Sequence, residues 1–182
     1  RGHPVRFAAC HGAALRALEG DRGARSVVER YAHHLVILET TDPGVLADIG
    51  PATMLVYAPA VNEPRRLTDL DADTVIRTLA PKTLGLQSAL KALGPGLRRL
   101  VTFGSIIGRI GLEGECHYAL ANAMQTAASK AWSGAAPGRA ALAIEWSVWA
   151  GAGMGERLGT IERLSAQGVD AISLDDALSA LD

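Results

Sequence analysis

Four short, unbroken apolar runs separated by helical patterns restrict this chain to a small set of folds. They are LVIL at 35–38, MLVYA at 54–58, LVTF at 100–103 and ALAIEW at 141–146. Runs without polar alternation suit strands covered on both faces, as in parallel sheets. Between the second and third runs, Val75, Ile76, Leu79, Leu84, Leu86 and Leu90 keep helical spacing. They predict one long helix over 71–93, kinked at Pro81. The alanine-rich stretch 117–132 predicts a helix packed closely on the sheet. After the first run, Asp42 and Pro43 predict the N-cap and first turn of a short helix over 44–49. Such alternation gives an α/β, Rossmann-like open parallel sheet with right-handed crossovers and helices on both faces. Residues 1–33 carry only faint strand and helix patterns. The N-terminal part is therefore expected to be an incomplete or degenerate βα segment (1–33), ahead of the main domain (34–182).

Composition supports one packed domain. The chain has 182 residues, 48% of them hydrophobic, too apolar for a disordered segment. A net charge of −1 gives no basic nucleic-acid footprint. No run approaches the roughly 18 apolar residues a membrane helix needs, and no basic-then-apolar leader opens the chain. The expectation is a soluble, cytoplasmic protein. The start at Arg1, without Met, suggests a piece of a longer protein. Cys10 and Cys116 form no C-x-x-C pair and His33-His34 are adjacent, so neither a disulfide framework nor a metal site is expected.

In open parallel sheets, ligands bind beyond the carboxyl ends of the strands. Ser105 follows the third run directly. Tyr118 comes 13 residues later, near a helix start, with Asn122 one turn further on the same face. Lys82 lies on the preceding helix, next door after a parallel crossover. A hydroxyl, a phenol, an amide and an ammonium can thus meet at one rim. That set suits carbonyl reduction. The phenol of Tyr118 gives a proton to the developing alkoxide, and Lys82 lowers its pKa. Ser105 polarises the carbonyl, while Asn122 holds the lysine or a relaying water. The hydride requires a nicotinamide cofactor, because no side chain supplies one.

The stretch 103–124, FGSIIGRIGLEGECHYALANAM, resembles the ketoreductase domains of modular polyketide synthases, members of the short-chain dehydrogenase/reductase superfamily. The Ser-x12-Tyr-x3-Asn pattern and Lys82 within Leu79-Ala80-Pro81-Lys82 match that subfamily. WSVWAGAGM at 146–154 resembles its loop after the sixth strand. The resemblance implies NADPH-dependent reduction of a β-ketoacyl chain held on an acyl carrier protein by phosphopantetheine, within a multidomain synthase. It implies catalytic roles for Tyr118, Ser105, Lys82 and Asn122. It implies cofactor contacts at Glu39, Ala58, Pro59, Ala60 and Ser147, and substrate contacts at Trp149, Met154 and Ile106. Pro59 departs from the family turn and lacks the N–H an amide contact would use. The family's Thr-Gly-x-x-Gly-x-x-Gly turn has no counterpart; Gly12 and Gly20 do not reproduce it. The alternative is therefore a catalytically inactive ketoreductase-like domain with a structural or docking role. A third reading is another nucleotide- or thioester-binding α/β module.

The stereochemical markers of the family are silent. Ile110 stands where one subtype has tryptophan, and Val61-Asn62-Glu63-Pro64 where the other has Leu-Asp-Asp. Leu174-Asp175-Asp176 lies too near the C-terminus to count and reads as a helix start. Other residues take plainer readings: Cys116 small and at least half-buried, His117 solvated, Glu113 and Glu115 facing water, Trp132 and Trp146 in the core. Arg65-Arg66 and Arg98-Arg99 read as solvated pairs, with carrier-protein docking the sharper option.

Overall fold

The computed structural model describes residues 52–151 and 153–179. The expected strand at 35–38, the helix at 44–49, Glu39 and the whole of 1–33 lie outside these residues.

Three parallel strands, β1 (Met54–Tyr57), β2 (Arg99–Ser105) and β3 (Ala140–Trp146), form one sheet in that order. The register aligns Leu55 with Leu100 and Ala141, and Val56 with Val101 and Leu142. Side chains alternate across a strand, so these two rows face opposite sides. The first row is the core row: Leu55, Tyr57, Leu100 and Ala141 pack with Leu86, Ala89, Leu90 and Trp132 from the covering helices. The second row is open, with Leu142 58% exposed. Strands covered on both faces were expected. Among the described residues one face is covered, because the helices linking β1 to β2 and β2 to β3 pack against each other on a single side.

The first crossover is two helices rather than one kinked helix. α1 (Ala72–Lys82) ends one residue before α2 (Leu84–Leu93), and Thr83 between them has ψ −75°. Pro81 explains the break. It gives no N–H to the helix, and its ring crowds the carbonyl four residues earlier. Thr83 donates from both its N–H and its hydroxyl to the Leu79 carbonyl, at 3.0 and 2.8 Å. The Tyr57 hydroxyl donates to the Pro81 carbonyl and ties the end of α1 to β1. At the other end Asp71 caps α1, accepting from the Thr74 N–H at 2.6 Å.

A short α3 (Ile107–Ile110) and a long α4 (Cys116–Gly134) make the second crossover. α4 turns Tyr118, Asn122, Gln125 and Ser129 inward, a polar stripe at helical spacing. Ser129 donates to the Gln125 carbonyl at 2.8 Å and meets Thr102 of β2 at 3.1 Å. Beyond β3, β4 (Trp149–Ala150) pairs in parallel with β5 (Ile172–Ser173). Between them lie α5 (Gly153–Arg157) and α6 (Thr160–Ser165), and α7 (Leu174–Ser179) follows β5. Leu174 and its two aspartates open α7, as expected. No helix among the described residues is long and apolar enough to cross a membrane.

Candidate active site

A cavity of about 260 Å³ opens at the carboxyl ends of β1, β2 and β3. Its lining includes Ser105, Tyr118, Lys82, Ala58, Ala60 and Ser147, with Trp149 and Met154 on the side of α5. Pro59 and Ile106 are half-buried and do not line it; the neighbouring Ile107 does. The strand-end turn explains the substitution. The Ile106 N–H bonds the Trp146 carbonyl at 2.8 Å, and the next residue starts α3 and turns inward. Asn122 sits behind the lining, one turn deeper on α4.

Tyr118 emerges from an apolar cluster of Ile107, Leu112, Val148 and Leu164. Burial pushes its phenol up to about 12; the Asn122 amide pulls it down and the Glu115 carboxylate pushes it up. The expected lowering by Lys82 is absent. The ammonium bonds other groups, donating to the Phe103 carbonyl at 2.9 Å and to Gln125 Oε1 at 3.0 Å. Lys82 is only 1% exposed, and burial pulls its ammonium down to about 8. Asn122 does not hold the lysine either. Its Nδ2 donates to the Tyr118 backbone carbonyl at 2.8 Å, and its Oδ1 is buried without a partner. The Ser105 hydroxyl accepts the Ile107 N–H at 3.3 Å, which steers it over the start of α3. Ser147 donates to the Asp170 carbonyl at 2.6 Å, bracing the loop after β3.

The aromatic wall is continuous. Trp146 meets Phe103 edge-on at 5.5 Å and Trp149 at 5.1 Å. Trp146 is only half-buried and lines the cavity, so it belongs to the site rather than to the core. Trp132 sits against the core row, with the Arg139 guanidinium 4.9 Å over its ring.

Several plain readings change at the start of α4. Glu115 is fully buried. Its carboxylate accepts from Arg163 at 3.1 Å and from Asn62 Nδ2 at 2.7 Å. His117 is buried too, its Nε2 donating to the Glu63 carbonyl at 3.1 Å. Cys116 is exposed. The reason is one of direction. The chain after β1 folds across the start of α4, with the Arg65 N–H bonded to the Gly114 carbonyl at 2.8 Å. That covers positions 115 and 117 and leaves 116 outward. Glu113 stays exposed, as do Arg66, Arg98 and Arg99; Arg65 lies 3.9 Å from Glu63 and 3.6 Å from Asp71.

Two residues, Gln125 and Asn62, escaped the sequence reading, and Glu115, expected at the site entrance facing water, is buried instead. A signal existed for Gln125, three residues past Asn122 and seven past Tyr118 on one helical face. Asn62 and Glu115 meet across 53 residues, and no local pattern joins them.

Comparison with known proteins agrees with this geometry. The KR domain family matches residues 45–151. Mellein synthase from Phaeosphaeria nodorum is 31% identical over 134 residues, 71% of this chain and 7% of that protein. Polyketide synthase GfsA from Streptomyces halstedii is 33% identical over 134 residues, 72% of this chain and 2% of that protein. Among solved structures, PlmKR1, the ketoreductase from the first module of phoslactomycin biosynthesis in Streptomyces sp. HK803, superposes with a TM-score of 0.73 at 24% identity. That match covers 88% of this chain and 39% of that one. The first ketoreductase of the tylosin PKS gives a TM-score of 0.71 at 25% identity, over 88% of this chain and 37% of that one. The chain thus spans a small part of these synthases and under two-fifths of these two solved ketoreductases. A parallel sheet whose rim gathers a serine, a tyrosine and a lysine, matched by family and by fold, places this chain in the KR domain family, the ketoreductase domains of polyketide synthases with the short-chain dehydrogenase/reductase fold.

Proposed function

We propose that this chain reduces the β-keto group of an acyl chain held on an acyl carrier protein, within a multidomain synthase and with NADPH as reductant. The observation that carries the reading is the shared cavity of Tyr118, Ser105 and Lys82. The unit responsible is taken as 34–182, with 1–33 as a degenerate or partial leading segment.

The residues present fit a nicotinamide cofactor. Lys82 has three N–H donors and two protein acceptors, so one donor remains for a ligand. Ala58, Ala60 and Gly104 keep the same cavity wall low. Ala58, Ala60, Ser147 and Lys82 would hold the nicotinamide end; when bound, the group supplies the hydride. Ser105 donates to the keto oxygen and polarises it. Tyr118 gives its phenolic proton to the alkoxide as it forms. The phenol is protonated through the neutral range, and the alkoxide, a stronger base than a phenolate, takes the proton although burial has raised the phenol's pKa. Trp149 and Met154 flank the acyl chain and help exclude water.

NADPH oxidation by the intact multidomain protein with a β-ketoacyl thioester tests the reading. Tyr118→Phe is expected to lower turnover by about 10²–10⁴-fold. Undiminished turnover in that variant overturns the assignment of the acid.

A second reading is a non-reducing ketoreductase-like domain with a docking role. It is favoured by the bonds of the Lys82 ammonium, which go to the Phe103 carbonyl and Gln125 rather than to the phenol. Titration with NADPH separates the two, since a folded intact protein that ignores millimolar cofactor supports the docking role.

A further inference from the structure

We infer that Gln125 is the positioning residue for Lys82: its side-chain carbonyl fixes the ammonium beneath the cavity and keeps it charged. The inference deepens the reductase reading and rests on it for its catalytic meaning, though not for its test.

Lys82 comes from α1, and the two groups that hold it come from other elements. The Phe103 carbonyl belongs to β2 and Gln125 to the middle of α4, 43 residues away in sequence. Gln125 is itself 1% exposed. An ammonium has donors only, so the amide must present Oε1 to it. The amide orientation is thereby fixed, and Nε2 is left buried without a partner. An orphaned buried donor is costly, and a methionine or leucine here would avoid it. What the glutamine gains in return is a second acceptor for a cation that has lost its water.

Gly104 of β2 lies against both amides. A Cβ there would sit 3.6 Å from Asn122 Oδ1 and 3.8 Å from Gln125 Oε1. Tyr118 and Glu115 line the same cavity as Lys82, and Tyr57 bonds the adjoining Pro81 carbonyl; none of the three bonds the ammonium, whose acceptors are the Phe103 carbonyl and Gln125 Oε1. β2 presents a backbone carbonyl. Burial is the force that lowers the ammonium, and the Gln125 carbonyl is the side-chain acceptor that opposes it.

The chain has three lysines, Lys82, Lys91 and Lys130, so their ε-carbons can be labelled with ¹³C and titrated by NMR in the intact chain. Lys82→Arg assigns the resonance. In the native sequence the Lys82 midpoint is expected at about 8. Gln125→Met keeps length and helix propensity but removes the acceptor. It should lower the midpoint by about one pH unit, and Gln125→Glu should raise it by at least as much. Should the methionine variant fail to fold, Gln125→Asn, one methylene short of reach, is expected to lower the midpoint in the same sense. The alkaline limb of kcat/KM for ketoacyl reduction should move in the same order, which a purely structural role would not produce. One midpoint shared by the native chain and its folded variants overturns the inference. Midpoints that move in a protein that reduces nothing uphold the inference and overturn the reductase reading.

Discussion

The Glu115 carboxylate, wholly buried where α4 begins, is held 3.1 Å from the Arg163 guanidinium on α6. The pair joins the helix that carries Tyr118 to the segment that carries Met154, across the mouth of the cavity. Arg163 also donates to the Glu113 carbonyl. The start of α4 is a favourable place for a carboxylate, because the free N–H groups and the helix dipole are positive there.

Removing one partner of a buried pair leaves the other charge uncompensated. Arg163→Ala should therefore lower unfolding free energy by roughly 2 kcal/mol, below the full buried-pair cost because the arginine is partly solvated. The double variant Glu115→Gln with Arg163→Met should recover most of that loss. Urea denaturation of both proteins measures it; an Arg163→Ala variant as stable as the parent would show that the pair holds nothing.

Stability should vary with alkaline pH in a defined way. Burial pulls the Lys82 ammonium down from its ordinary 10.5 to about 8 in the folded protein. Between those values the unfolded chain binds more protons, so stability rises with pH, by about 3 kcal/mol in total. The Tyr57 and Tyr118 phenols are raised from 10 to about 12. Their contribution is present below pH 10 and lost above it. Thermal unfolding should therefore show greatest stability near pH 10, and Lys82→Met should abolish the rise between pH 8 and 10. A rise that persists in that variant would place its origin elsewhere.

Gly108 allows α3 to touch α4. A Cβ at this position would lie 2.8 Å from Asn122 Cβ and 3.2 Å from the Ala123 nitrogen, so the backbone of α4 would have to move. Overpacking of this kind costs about 1–3 kcal/mol, opposed by the helix propensity alanine adds, about 1 kcal/mol. Gly108→Ala is expected to be less stable by about 1 kcal/mol, with turnover reduced because Asn122 and Tyr118 shift together. An alanine variant with equal stability and turnover would mean that the two helices part freely.

The hydroxyl of Tyr57 should be worth about 1 kcal/mol through its bond to the Pro81 carbonyl. Tyr57→Phe is expected to lose that amount in urea unfolding below pH 10 and to weaken the fall in stability above it. Gly85 packs against the same hydroxyl, which a Cβ there would strike. Gly85→Ala should accordingly be better tolerated in the Tyr57→Phe background than in the native one.

Periodicity carried much of the architecture. The runs at 54–58, 100–103 and 141–146 become β1, β2 and β3 with end shifts of one or two residues, because short apolar runs bounded by turn residues favour the strands of a parallel sheet. The stretch 71–93 was harder. Its apolar spacing runs through Pro81 undisturbed, so the pattern reads as one helix. The break at Thr83 depends on what receives the freed backbone groups, and one receiver is the Tyr57 hydroxyl, which bonds the Pro81 carbonyl from 24 residues before that proline.

The amino-acid order by itself determined the strand–helix alternation and the face of α4 that holds Tyr118, Asn122 and Gln125, since the first follows from unbroken apolar runs set between stretches of helical spacing and the second from the 3.6-residue repeat within one element. Only the tertiary structure decided which partners each polar group takes. Lys82 reaches 21 and 43 residues along the chain for its acceptors, and Glu115 reaches 48 for its arginine. Those pairings arise because a desolvated charge must find an opposite dipole or charge wherever packing has brought one, and packing is a property of the assembled sheet and helices.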